Sequence, residues 1–80
     1  MTAIEELRQY GEKLNVGRYG SERPYREETI NGRMLFMRFA GLDFLSEVID
    51  ICKRRNGEPE MKNMLDIRFV DYKIEIMFAI

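Results

Sequence analysis

The stretch Leu65–Phe78 constrains this chain more than any other. Leu65, Ile67 and Phe69 alternate with Asp66, Arg68 and Val70. After Asp71-Tyr72 the alternation resumes as Ile74, Ile76 and Phe78 against Lys73, Glu75 and Met77. A period of two is the signature of strands with one face buried and the other wet. A two-residue turn at Asp71-Tyr72 sets Phe69 opposite Ile74, Ile67 opposite Ile76 and Leu65 opposite Phe78 on one side, and Arg68 against Glu75 on the other. The hairpin, about residues 63–79, offers an apolar face that other elements must cover.

Two helices are available to cover it. Thr2 followed by Glu5 is a capping box and starts a helix over about 2–14. Ile4, Leu7, Tyr10 and Leu14 form its apolar stripe, opposite Glu5, Arg8, Glu12 and Lys13. Gly11 is a weak point within it, and Asn15 and Gly17 end it. A second helix, about 43–55, carries Phe44, Leu45, Val48, Ile49, Ile51 and Cys52 around half of its circumference. An arc that wide calls for cover on two sides, by the sheet and by the first helix or another chain. Lys53-Arg54-Arg55 suits the carboxy-terminal end of the dipole, and Asn56-Gly57 with Pro59 stops the helix.

Asn31-Gly32 tolerates the positive φ angles of a type I′ turn and predicts a second hairpin over about 25–40. Its first arm, Tyr25–Ile30, is polar and reads as an edge strand or extended arm. The fold class is therefore α+β: a single small domain over residues 1–80, in the order α-β-β-α-β-β, with an antiparallel or mixed four-stranded sheet and both helices on one face.

The search for reactive groups returns little. The chain has no histidine, which removes the commonest general base and zinc ligand and every Ser-His or Cys-His arrangement. Its single cysteine, Cys52, permits no intramolecular disulfide, fits a reducing cytoplasm, and lies on an apolar arc near a helix end that disfavours a thiolate. No loop has the alternating Asp/Asn spacing of a calcium site. Gly17-x-x-Gly20 lacks the remaining glycine of a dinucleotide fingerprint and follows no strand. No catalytic residue, metal or cofactor is expected, and no apolar stretch is long enough for a membrane span.

What remains is a binding surface. The segment 16–26 is rich in arginine, tyrosine, glycine and serine, residues that supply contact area, forked hydrogen bonds and a conformable backbone. Residues 16–41 hold five arginines against three glutamates, while residues 58–80 hold five acids against three bases, within a net charge of -1. Arg18, Tyr19, Arg23, Tyr25, Arg26 and Arg33 are the candidate partner-binding residues. The bland alternative is a solvated loop with Tyr19 or Tyr25 tucked into the core. A second contact face, for a target or a dimer mate, is Met34, Phe36, Met64 and Met77 on the far side of the sheet, since methionine adapts to partners. The alternative there is a face hidden by the polar arm or the loop.

The expectation is a small non-catalytic protein-binding module that inhibits or regulates a larger intracellular protein by occlusion. Its size class is that of phage and mobile-element inhibitors of bacterial proteins, anti-defence proteins included, by association only. The alternative is a nucleic-acid-binding regulator, with the same arginines interleaved among Tyr19, Tyr25 and Phe36. Glu22, Glu27, Glu28 and the acidic balance of the chain stand against it. A structural homodimer is the third reading.

Overall fold

The first helix begins as its capping box dictates. In the computed structural model, which describes residues 1–80, the Thr2 hydroxyl accepts from the Glu5 amide and the Glu5 carboxylate accepts from the Thr2 amide, opening α1 (Ala3–Asn15). α2 (Leu45–Arg54) is preceded by a 3-10 turn, Leu42–Phe44, so its regular part is shorter than the apolar arc suggests. Two further 3-10 segments are Gly20–Glu22, within the arginine-rich loop, and Pro59–Asn63, on the connection to the last hairpin. The strands are β1 (Tyr25–Ile30), β2 (Met34–Ala40), β3 (Met64–Val70) and β4 (Lys73–Ala79).

All pairings are antiparallel, and the spatial order is β1-β2-β4-β3. The two hairpins therefore meet through β2 and β4, where Leu35 opposes Phe78, Met37 opposes Ile76 and Phe39 opposes Ile74. Those six side chains are fully or almost fully buried together with Leu7 of α1 and Val48 and Ile51 of α2. Both helices thus cover one face, and Leu35, Met37 and Phe39 form the inward set of β2. Burying this face is the main favourable term in folding, at about 25 cal/mol per Å² of apolar surface.

Both hairpin turns hold their two central residues at positive φ. Asn31 and Gly32 take φ of 54° and 64°, and Asp71 and Tyr72 take 50° and 63°. Asparagine and glycine enter that region cheaply; a tyrosine does not. Gly41 donates its amide to the Tyr72 carbonyl at 2.7 Å, tying the end of β2 to the β3–β4 turn.

The expected register of the last hairpin holds for Phe69 with Ile74, Ile67 with Ile76 and Arg68 with Glu75, and then breaks. A bulge between Met64 and Asp66 sets Met64, not Leu65, opposite Phe78 and leaves Leu65 57% exposed. An extra residue in one strand shifts every later side chain by one position. Met64 consequently leaves the outer face to which the sequence pattern assigned it. Met34, Phe36 and Met77 do share that face: Phe36 opposes Met77, Met34 opposes Ala79, and all three are half-buried. The arm Tyr25–Ile30 does not fold over them, because it pairs in the plane of the sheet as the β1 edge.

Gly11 is not merely a weak helix position. A Cβ there would stand 2.2 Å from Cγ of the Tyr25 ring. Glycine lets the ring lie against the α1 backbone. Gly11→Ala is expected to destabilise the fold by about 3 kcal/mol, against the gain of about 1 kcal/mol from helix propensity alone. Urea denaturation followed by circular dichroism measures the difference.

Candidate partner-binding site

The platform beneath the 16–24 loop is set by one buried aromatic. Tyr25 is only 4% exposed and packs on Gly11 and on Phe39, with ring centroids 4.9 Å apart. Asn15, at the end of α1, grips its backbone from both sides: the side-chain amide donates to the Tyr25 carbonyl at 2.9 Å, and its oxygen accepts from the Tyr25 amide at 3.0 Å. The Tyr25 hydroxyl donates to Glu27, which also receives Arg8 of α1 at 2.8 Å. Burial, with the hydrogen bond to Glu27 next, pushes the Tyr25 phenol far above its ordinary value. The Arg8 guanidinium holds Glu27 below the usual glutamate range.

Tyr25 is therefore a structural residue, and its expected role as a surface anchor is corrected. Nothing in single-sequence periodicity separates the two roles, since Tyr25 precedes a polar arm. Tyr19 remains outward, 80% exposed, and Arg18 is exposed beside it. Arg23 and Arg26 fold back toward the loop, both reaching the Gly20 carbonyl at 3.5 and 3.3 Å. Arg33 does not join them. It sits in the Asn31-Gly32 turn, at the opposite end of β1 from the loop.

The sheet supplies two cations that the loop alone could not reveal. Arg26 lies directly opposite Arg38 across β1 and β2, and Ala40 pairs with Lys73 of β4. Arg23, Arg26, Arg38 and Lys73, with Ser21 and Pro24, wall a cleft of about 220 Å³ that contains no carboxylate. A neighbouring open cleft of about 730 Å³ is of mixed charge, with Glu12 and Glu27 facing Arg23 and Arg26. Like charges set directly opposite on a sheet are unfavourable unless something neutralises them. Arg38 has Glu75 at 2.9 Å, and Glu75 also takes Arg68 at 3.0 Å. Arg26 has no carboxylate partner.

Tyr72 belongs to the same end of the molecule. It is 80% exposed, adjoins Lys73 and holds a positive φ. An exposed aromatic in a costly backbone conformation is a functional signal that hydrophobic patterning overlooks. The other arginines of interest have partners elsewhere. Arg54 and Arg55 both bind Glu6 of α1, and Arg55 also reaches Glu58 and the Met1 carbonyl. They join the two helices, beyond the helix-end electrostatics expected of them.

Burial pushes the Cys52 thiol up, away from the reactive thiolate. No three or more metal-ligating side chains cluster. No helix is long and apolar enough to cross a membrane. No protein family model, curated protein or solved structure matches the chain.

Because Glu27 is depressed in the folded protein, its contribution to stability is present above the ordinary glutamate value of 4.5 and is lost as pH falls through the lowered one. Glu27→Gln is expected to cost about 1 kcal/mol at neutral pH, and native and variant should converge in strong acid. Denaturant midpoints across that pH range test the sign.

Proposed function

We propose that this chain is a small non-catalytic protein-binding module whose contact surface is the cationic corner formed by Arg18, Arg23, Arg26, Arg38 and Lys73, flanked by the exposed rings of Tyr19 and Tyr72. The supporting observation is the Arg26–Arg38 apposition at a cleft with no acid of its own. A partner bringing carboxylates into that cleft would supply the missing charge and form short, forked hydrogen bonds with the guanidinium groups. Tyrosine and arginine together are the residues that most often carry binding energy at such surfaces. The partner chemistry is an acidic protein surface, and the role is regulation or inhibition by covering it. A larger intracellular bacterial protein as target, and a phage or mobile-element source, rest on size class alone.

Nucleic acid is the second reading, since phosphate is also an anion and exposed tyrosines can stack on bases. Glu22 and Glu28 are exposed on the same margin and would repel a phosphate backbone. Salt dependence separates the two readings. Affinity for a phosphate backbone falls as a high power of salt concentration, in proportion to the phosphates neutralised. A protein partner is expected to show a shallower slope.

The test is affinity capture from the native host with the full chain, compared with an Arg23→Glu, Arg26→Glu double variant that retains the native melting curve. Charge reversal at two desolvated contacts is expected to weaken partner binding about a hundredfold. Recovery of the same partner by the variant would remove the corner from consideration. Tyr72→Gly gives a separate outcome. It converts the turn to Asp-Gly, so stability is expected to rise by about 1 kcal/mol in thermal melts while partner affinity drops.

A further inference from the structure

The β3 margin has the features of an edge that receives another strand. Solitary edge strands are usually kept very short, or carry proline or inward-pointing charges. β3 has seven residues and no proline, and it is bulged only near its start. Leu65 and Phe69, 57% and 52% exposed, lie along it. On the helix side Ile49, Cys52, Met61, Met64, Ile67 and Phe69 wall an open groove of about 440 Å³. This is the flank of the wide α2 apolar arc that neither α1 nor the sheet covers.

Backbone geometry and charge together select the occupant. Val70 and Lys73 flank a two-residue turn, so Val70, Arg68 and Asp66 direct their backbone groups to β4. Ile67 and Phe69 then direct theirs out of the open edge. A two-fold axis through Ile67 pairs β3 with a second β3 and sets Asp66 opposite Arg68 of the second copy, and Arg68 opposite its Asp66. Moving the axis one residue either way opposes Arg68 to Arg68 or Asp66 to Asp66, which is unfavourable. Axes between residues would oppose an inward to an outward side chain, which the pleat forbids. Asp66 makes no ion pair within its own chain.

We propose that the chain binds a second copy of itself edge to edge through β3, in the register centred on Ile67. Two four-stranded sheets then join into one continuous sheet, and the grooves beside the two α2 helices merge across the axis. The cationic corner lies toward the opposite, β1 edge, so each dimer carries two copies of it, and the dimer does not depend on what that corner binds.

Sedimentation equilibrium on the full chain up to millimolar concentration tests the proposal. The native chain is expected to have the mass of two copies. Asp66→Arg places arginine against arginine in both cross-copy pairs, and the dissociation constant is expected to rise roughly tenfold, with a smaller rise for Asp66→Asn. Ile67→Cys in a Cys52→Ser background is expected to cross-link on mild oxidation, because paired residues on the axis lie about 5.5 Å apart at Cα, within disulfide reach. A native chain that stays monomeric at millimolar concentration overturns the proposal and leaves the edge to a strand of some other protein. A dimer indifferent to Asp66→Arg, or an Ile67→Cys chain that does not cross-link, overturns the register.

Discussion

Burial of β4 on both faces is the constraint from which the rest of the molecule follows. Toward the helices it presents Ile74, Ile76 and Phe78 to the apolar core. On the outer face Glu75 is only 8% exposed, closed over by Arg38 from β2 and Arg68 from β3. A carboxylate so nearly dry is tolerable only while its partners stay in place, because one left without them carries the full cost of desolvation. The two arginines are thereby held across three strands. Strand order, register and outer-face charge are parts of one arrangement.

That row of charge continues to both edges of the sheet. Toward β1 it ends in Arg26, a cation set against another cation, beside Arg23 and Lys73. Toward β3 it ends in Arg68, with the unpaired Asp66 two residues away on the same face. Each edge is electrostatically incomplete in its own way. At the β1 end Arg26 has no ion pair and the cleft it shares with Arg23, Arg38 and Lys73 has no acid in its wall, although Glu28 lies two residues along the strand; the β3 end holds Arg68 and the unpaired Asp66. The first arrangement suits the acidic partner we propose, and the second suits pairing with another copy of the chain.

The corner near β1 stands on a rigid base. Gly11, Asn15 and Glu27 hold Tyr25 by van der Waals contact, paired backbone hydrogen bonds and a hydroxyl bond respectively. The exposed residues above it, Arg18 and Tyr19, make no comparable contacts. A fixed base carrying outward side chains limits the ordering cost of binding to those side chains. The positive φ of Tyr72 fits the same pattern, with local stability given up where an aromatic ring is presented.

Local chemistry was legible residue by residue: the Thr2–Glu5 cap, the Asn31-Gly32 turn, and the alternation of Ile67, Phe69, Ile74, Ile76 and Phe78 each depend on neighbours a few positions away. The sequence alone therefore determined the element order, the two helices on one sheet face and the arginine-rich character of the 16–26 loop. Only the tertiary structure decided that Tyr25 turns inward, that Arg33 lies apart, that Met64 takes the place opposite Phe78 expected of Leu65, and that Arg38, Lys73 and Tyr72 join the corner. The reason is physical: those outcomes depend on which strands pair, and β2 meets β4 across more than thirty residues of chain. A glycine that admits a ring and a bulge that shifts a strand by one position are relations between distant segments, to which no local periodicity responds.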